Sequence, residues 1–160
     1  MHKSLLREII LEQEKNRQTV DLGIKRSALD IVLKQISLSH AVVISGIRRS
    51  GKSTLLNQII SNCYEKGVYP VRENRRHSQL FSNGVYYLNF EDERLVDFAV
   101  ADFNNLYETF LELYGERKVF FFDEIQNVPK WEIFVRRMQD KGCKFFITGS
   151  NASLLSKELG

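Results

Sequence analysis

Cysteine, proline and long apolar runs are all scarce in this chain, and each shortage removes a class of protein. The 160 residues include two prolines and two cysteines. Cys63 and Cys143 lie far apart, with neither a C-x-x-C pair nor a histidine cluster, which argues against a disulfide framework or a zinc site. No apolar run reaches membrane length, and residues 1–14 mix charged with apolar residues, unlike a secretory signal. We therefore expect a cytoplasmic protein without a membrane partner.

An excess of charge of one sign is also missing, because 23 basic and 20 acidic residues leave a net charge of +3. A charge this small does not by itself indicate a nucleic-acid partner. One basic cluster, at 72–77, lies in a polar stretch between Pro70 and Gly84. It lacks the interleaved aromatic residues of single-strand binders, so a solvated surface loop is the simpler interpretation. A nucleic-acid or acidic protein partner at this cluster stays open but unsupported.

The most informative segment that is present spans residues 46–53 and fits the pattern G-x-x-x-x-G-K-[ST]. It follows a β-branched apolar run at 41–45 and precedes helical apolar spacing at 54–60, which is the context of a phosphate-binding loop. Glycines let successive N–H groups point into one concavity at a helix N-terminus, where a phosphate is favoured. Lys52 would reach the β- and γ-phosphates, and Ser53 would coordinate Mg²⁺. The predicted nucleotide-binding residues here are Gly46, Ile47, Arg48, Arg49, Ser50, Gly51, Lys52, Ser53 and Thr54.

A second motif is the apolar run 120–122 followed by Asp123 and Glu124. At the end of a buried strand, Asp123 would hold Mg²⁺ together with Ser53, while Glu124 would polarise the water that attacks the γ-phosphate. Two adjacent carboxylates repel each other unless a cation lies close by, which also favours a metal site. The Asp–Gly spacing and the Asn-Lys-x-Asp motif typical of GTPases do not occur, so the pattern favours ATP.

Polar residues after the next apolar run form a third and weaker feature. Thr148 and Ser150 are predicted to contact the γ-phosphate or the attacking water, ahead of Asn151, although such residues also cap helices. Asn89, Glu91 and Asp92 could enter the outer shell of the metal, but a role in a turn is the simpler interpretation. Arg136 and Arg137 could face a neighbouring subunit as charge-stabilising arginines, but an exposed helical face is the simpler interpretation.

Apolar periodicity predicts strands that alternate with helices, and hence a parallel sheet between helical layers. We predict a three-layer αβα sheet, with residues 1–23 as an N-terminal helical segment and 24–160 as the nucleotide-binding core. The predicted strands are 41–45, 85–90, 118–122 and 144–148. The predicted helices lie within residues 1–40 (two helices), at 54–63, 103–114 and 131–138, and at 152–159.

Four segments in this order resemble the AAA+-type ATPase domain of a large archaeal and bacterial family, the fourteenth AAA domain family. They are GIRRSGKS (46–53), YLNFEDERL (87–95), FFFDEIQNVPKWE (120–132) and FITGSNASLLSKEL (146–159). The resemblance runs from about residue 24 to the end. It implies an AAA+ fold with an extra strand at 85–90, Lys52 and Ser53 as Walker A, Asp123 and Glu124 as Walker B, and 148–150 as sensor 1.

Members of that family are longer and continue into an arginine-containing segment, a lid and often a C-terminal domain. The family's fifth core strand, its sensor 2 and its arginine finger have no counterpart before Gly160. We therefore expect an N-terminal fragment of a longer protein, in which ATP binding survives better than turnover. Arginines aimed at the transferring phosphate contribute about 10³–10⁵ in rate.

The predicted function is Mg²⁺-dependent ATP binding with slow hydrolysis that drives a conformational switch. Glu124, Lys52 and Ser150 are the predicted catalytic residues, and the expected partners are ATP and ADP, the protein's own lid and C-terminal domain, and further copies in a homo-oligomer. One alternative is a non-hydrolysing, nucleotide-gated scaffold or a nucleic-acid-binding module. A small-molecule kinase is disfavoured because Glu124 directly follows Asp123 and no arginine-rich lid is evident.

Overall fold

The computed structural model describes residues 1–36, 38–62 and 84–150, and in these ranges helices and strands alternate along the chain. Short 3-10 turns follow β2, precede α4 and follow β3. The predicted α/β class is confirmed. The elements are α1 (Lys3–Thr19), α2 (Ser27–Gln35), β1 (Val42–Ser45), α3 (Lys52–Ile60), β2 (Tyr86–Asn89), α4 (Phe103–Tyr114), β3 (Val119–Asp123), α5 (Trp131–Asp140) and β4 (Lys144–Gly149).

The described strands form one parallel sheet in the order β1-β4-β3-β2. Every residue of the central strands β3 and β4 is buried, which explains their uninterrupted apolar runs. The ring of Phe120 stacks on that of Phe145 with centroids 4.7 Å apart, and Phe121 stacks on Phe146 at 4.6 Å. These cross-strand pairs lie on opposite faces of the sheet and fix the register of the two strands that carry the predicted site.

Helices cover both faces of this sheet, so the predicted three-layer αβα architecture is confirmed. On one face α2 and α3 pack through residues such as Leu29, Leu56 and Ile59. On the other face α1, α4 and α5 pack through a larger cluster that includes Ile9, Phe110 and Phe134. Although α1 shares this core, the division of the chain at residue 23 stays a prediction.

A glutamine side chain fixes α1 against the end of β2. Gln13 Nε2 donates to the carbonyl oxygen of Asn89 at 3.0 Å, and Gln13 Oε1 accepts from the N–H of Asn89 at 2.8 Å. Beside this contact Arg94 donates to Asp92 at 2.8 Å and to Glu12 at 2.9 Å, which adds an ion-pair link between α1 and the turn after β2.

A second glutamine holds the segment that joins α1 to α2. Gln58, which is buried on α3, donates from Nε2 to the carbonyl oxygens of Leu22 and Ile24 at 2.8 and 2.9 Å. Its Oε1 accepts from the N–H of Arg26 at 3.0 Å. Because α3 starts at the predicted phosphate-binding loop, these bonds bring Arg26 next to that loop.

Most element boundaries agree with the sequence predictions to within two residues. The helix 103–114 has the predicted bounds. The helix α3 begins at Lys52 rather than at residue 54, because the last residues of the glycine loop form its first turn. The basic cluster 72–77, the predicted helix 152–159, Asn151 and Cys63 lie outside the described residues. No helix in the described part of the chain combines the length and hydropathy needed to cross a bilayer.

Candidate functional site

The predicted site residues meet at the carboxyl end of the parallel sheet. The loop after β1 leads into α3, and β3 and β4 end beside it, as expected where parallel strands finish at a common end. A cavity of ≈ 480 Å³ opens there. It brings most of the predicted loop together with Glu124, the residue predicted to polarise the attacking water. Its lining consists of Arg48, Arg49, Gly51, Lys52, Ser53, Thr54, Glu91 and Glu124.

Backbone geometry explains why glycines occupy both ends of this loop. Gly51 precedes α3 with a φ of +84°, in the left-handed region that side chains other than glycine rarely adopt. A Cβ at Gly46 would lie 2.9 Å from the hydroxyl oxygen of Ser50. The loop is thus wound tightly, with Arg49 also at a positive φ of 62°.

Arg26 is a neighbour of the loop that the sequence analysis missed. A Cβ at Gly51 would lie 2.1 Å from Arg26 Nη2, and Arg26 Nη1 lies 3.5 Å from the carbonyl oxygen of Ser50, to which it donates. No local sequence pattern predicts this contact, since Arg26 is 25 residues before Gly51 and is brought to the loop by tertiary contacts such as its bond to Gln58.

Gly51→Ala is expected to lower both stability and nucleotide affinity. The left-handed backbone makes alanine unfavourable by about 1 kcal/mol, and the new methyl group displaces the Arg26 guanidinium from the loop. Thermal unfolding and calorimetric titration would measure the two effects. Gly142→Ala is the matched control: its φ is +83°, and no described atom lies within 4 Å of the added Cβ. Equal loss of affinity in both variants would contradict a role for the loop geometry.

Lys52 extends across the cavity beneath the loop. Only 5% of the residue is exposed, its Nζ donates to the carbonyl oxygen of Ile47 at 3.0 Å, and the same Nζ lies 3.4 Å from Glu124 Oε1. A buried ammonium group is stable only with partners, and these two supply an acceptor and an opposite charge. The phosphates of a bound nucleotide would compete for this ammonium group with Glu124.

Asp123 is fully buried behind the loop and keeps one oxygen without a partner. Thr148 Oγ1 donates a short hydrogen bond to Asp123 Oδ1, whereas Oδ2 has no hydrogen-bond partner among the described residues. Burial raises the pKa of this carboxyl, while the neighbouring hydroxyl groups of Ser53 and Thr148 oppose the rise. An unpartnered buried carboxylate oxygen close to a serine hydroxyl suits a hard cation such as Mg²⁺.

The rest of such a metal shell would have to come from elsewhere. Within the described ranges no three histidine, cysteine, aspartate or glutamate side chains are grouped as a metal cage. This fits Mg²⁺, which is usually held by one or two carboxylates together with water and substrate phosphates. Ser53 and Asp123 thus have suitable chemistry, and their role as metal ligands stays a prediction.

Asp123→Asn is expected to raise the melting temperature of the nucleotide-free protein and to abolish the effect of Mg²⁺ on nucleotide binding. Burial penalises the charged carboxylate, and asparagine keeps the oxygen that accepts from Thr148 while removing the charge. A gain of about 1 kcal/mol corresponds to a rise of about 2–4 °C in a domain of this size. Thermal unfolding with and without Mg·ADP tests this, with the exposed Asp97→Asn as control. A lower melting temperature for Asp123→Asn would contradict it.

Glu124 is held by contacts to both of its carboxylate oxygens. The residue adopts a left-handed backbone, with φ 53° and ψ 42°, and is 9% exposed. Its N–H donates to Thr148 Oγ1 at 3.0 Å. Besides the Lys52 contact to Oε1, Gln126 Nε2 donates to Glu124 Oε2 at 2.5 Å and to Ser150 Oγ at 3.0 Å. Gln126 is a second site residue that the sequence analysis missed.

The structure separates the two predicted γ-phosphate contacts. Ser150 is exposed after β4 and accepts a hydrogen bond from Gln126, whereas Thr148 is fully buried behind Asp123 and Glu124. Neither residue lines the cavity. Direct phosphate contact by either residue stays a prediction. The Thr148 hydroxyl group donates to the Asp123 carboxylate and accepts from the main-chain N–H of Glu124.

The weaker candidates form a turn beside the cavity. Asn89 Oδ1 accepts from the N–H of Glu91 at 2.9 Å, and Asp92 accepts from the N–H of Arg94 at 3.0 Å, so these side chains shape the chain after β2. Glu91 also forms an exposed ion pair with Arg48 at 2.7 Å and lines the cavity. Asn89, Glu91 and Asp92 line a neighbouring cavity of ≈ 380 Å³ as well.

The two arginines of α5 lie elsewhere. Arg136 and Arg137 are both exposed, and Arg137 donates to Asn104 at 2.7 Å. Neither lines the cavity beside the glycine loop. The interpretation as an exposed helical face therefore agrees with their positions.

A parallel three-layer sheet with a glycine loop between β1 and α3 is the fold of P-loop NTPases. A family model described as AAA domain matches residues 38–160. This chain belongs to that AAA domain family. The resemblance noted in the sequence is thereby confirmed, and the family indicates nucleotide binding of the ATPase type.

Relatives in two organisms match most of this chain. It is 37% identical over 159 residues to the uncharacterized protein MJ1544 of Methanocaldococcus jannaschii, covering 98% of this chain and 30% of that protein. An uncharacterized protein of Haemophilus influenzae is 37% identical over 119 residues, covering 73% of this chain and 27% of that protein. MJ1637 of M. jannaschii is 27% identical over 147 residues, covering 90% and 28%. The chain thus spans less than a third of the length of the relatives it matches.

Proposed function

We propose that this chain binds Mg·ATP and hydrolyses it slowly, and that hydrolysis drives a conformational change in protein regions beyond it. One observation carries the proposal. In a single cavity, Lys52 Nζ lies 3.4 Å from Glu124 Oε1, next to the buried Asp123 with its unpartnered oxygen. Phosphate charge, metal and attacking water each have a suitable group within this arrangement.

The loop residues would bind the phosphates. Backbone N–H groups of 46–54 cradle them at the N-terminus of α3, and Lys52 turns its ammonium group from Glu124 to the β- and γ-phosphates. Ser53 and Asp123 would hold Mg²⁺, which when bound neutralises phosphate charge. The exposed Arg48 and Arg49 line the mouth of the cavity and add positive charge there.

Glu124 would act on the water. Once Lys52 has turned to the phosphates, the Glu124 carboxylate is free on its Oε1 side to orient the attacking water and to accept its proton. Ser150, joined to Glu124 through Gln126, would contact the γ-phosphate or the water. Slow turnover is expected because an arginine aimed at the γ-phosphate would come from a lid, a further domain or another copy of the protein. A cytoplasmic setting and a homo-oligomer belong to the same proposal.

Calorimetric titration with Mg·ATP, Mg·ADP and Mg·GTP tests the binding part. We expect ATP and ADP to bind and GTP to bind much more weakly. Absence of binding by all three nucleotides would overturn the proposal for this chain. Equal binding of GTP would leave a P-loop site but would contradict its assignment to ATP.

A further inference from the structure

Gln126 connects the ends of the two central strands. It lies in the 3-10 turn Ile125–Asn127 that follows β3, and its Nε2 donates to Glu124 Oε2 at 2.5 Å and to Ser150 Oγ at 3.0 Å. Ser150 directly follows β4. One amide group therefore joins the residue predicted to activate water with a residue predicted to contact the γ-phosphate.

The orientation of this amide follows from chemistry. An ionised carboxylate only accepts hydrogen bonds, so the NH₂ group of Gln126 has to face Glu124, and its carbonyl oxygen has to face away. With Lys52 near Oε1 and Gln126 on Oε2, both oxygens of Glu124 have partners. When Lys52 turns to the phosphates, the contact from Gln126 is the one that continues to direct the carboxylate.

A purely structural role for Gln126 agrees poorly with its surroundings. Its Oε1 is buried and has no hydrogen-bond partner in the part of the chain that the structure describes. Such an oxygen destabilises a folded protein, and the left-handed backbone of Glu124 adds strain close by. Unfavourable features of this kind persist where they hold a reactive group in place.

We propose that Gln126 is a positioning residue, which fixes the Glu124 carboxylate for hydrolysis and makes its position depend on Ser150. The proposal rests on the proposed ATPase function and extends it. A displacement of Ser150 by the γ-phosphate is transmitted through the Gln126 amide to Glu124, so that the water-activating carboxylate responds to the presence of the triphosphate.

Gln126→Met tests this role because methionine has a similar length and lacks the hydrogen bonds. We expect the single-turnover rate with Mg·ATP to fall about 10–100-fold, a part of the 10²–10⁴-fold that a positioned base contributes. The dissociation constant should stay within about threefold, and the variant should remain folded, because removal of the unpartnered oxygen offsets part of the cost of losing the bond to Glu124. Gln35→Met, at an exposed position on α2, is the matched control. A rate within about twofold of the parent, or a rate that falls together with stability and affinity, would overturn the proposal.

Combined variants distinguish positioning from general disturbance. In a Glu124→Gln background Gln126→Met should cause no further loss of rate, and its effect should not add to that of Ser150→Ala. Additive losses in both combinations would contradict the link.

A nucleotide-free measurement separates this proposal from the ATPase function itself. In ¹H–¹⁵N spectra, the side-chain amide resonances of Gln126 should move on Glu124→Gln and on Ser150→Ala, and should stay in place on Glu93→Gln, an exposed control. If the parent chain shows no turnover while these shifts occur, hydrolysis by this chain is refuted and the contact stands. If the resonances do not respond to Glu124→Gln, the positioning role is wrong whatever the turnover.

Discussion

Glu124→Gln is expected to retain Mg·ATP and to lose turnover by about 10²–10⁴-fold, the contribution of a positioned general base. Glutamine has the same shape but accepts no proton from water. It also removes the negative charge 3.4 Å from Lys52, so the ammonium group is released to the phosphates without competition. Binding should therefore be as tight as in the parent chain or tighter. Single-turnover hydrolysis and calorimetric titration measure the two quantities.

Glu91→Gln is the matched control for this substitution. Glu91 lines the same cavity, but it is exposed and forms an exposed ion pair with Arg48, which contributes little. Its removal should change rate and affinity by less than about threefold. Equal turnover in the parent chain and in Glu124→Gln would exclude Glu124 as the base. ATP binding without turnover in either protein would instead favour a nucleotide-gated scaffold.

Lys52→Ala is expected to weaken Mg·ATP binding by about 10²-fold or more. Loss of a buried, charged partner costs about 2–5 kcal/mol, and each 1.4 kcal/mol corresponds to a factor of ten in affinity. The buried position of Lys52 and its reach across the cavity make this cation hard to replace by the exposed Arg48 or Arg49. Calorimetric titration of the variant should give no measurable heat of binding.

Lys34→Ala makes the same chemical change at an exposed position of α2 and should bind normally. Circular dichroism and thermal unfolding must show that Lys52→Ala is folded, because the variant leaves Asp123 and Glu124 as neighbouring acids without their cation. A folded variant that binds Mg·ATP within about threefold of the parent would contradict phosphate binding by Lys52, and with it the interpretation of the loop.

Local patterns were sufficient to predict the fold. Residues 119–122 of β3 and 145–147 of β4 are apolar because both faces of each strand are covered. The helix 103–114 combines a regular apolar stripe with Gly115, which ends it at a φ of +72°. The loop 46–53 was recognisable because close contacts and a positive φ leave little choice of residue at its glycines.

Contacts that depend on the three-dimensional path of the chain could not be predicted in this way. Arg26 and Gln58 meet across 32 positions in sequence, and neither belongs to a recognisable motif. Gln126 lies beside a strong motif, yet its role depends on where Ser150 lies in space. Thr148 lies buried behind the two acids because side chains alternate along β4. The amino-acid pattern alone did not determine toward which face of the sheet Thr148 points.

The paired hydrogen bonds between Gln13 and Asn89 have a consequence for assembly. On the side of β2 away from β3, the main-chain N–H and C=O of Asn89 are both occupied by the glutamine amide, which imitates a neighbouring strand. An exposed lateral strand is a template for unwanted pairing, and α1 blocks that template at this point. Addition of another strand to β2 is therefore hindered at Asn89, and detachment of α1 would open this margin of the sheet to aggregation.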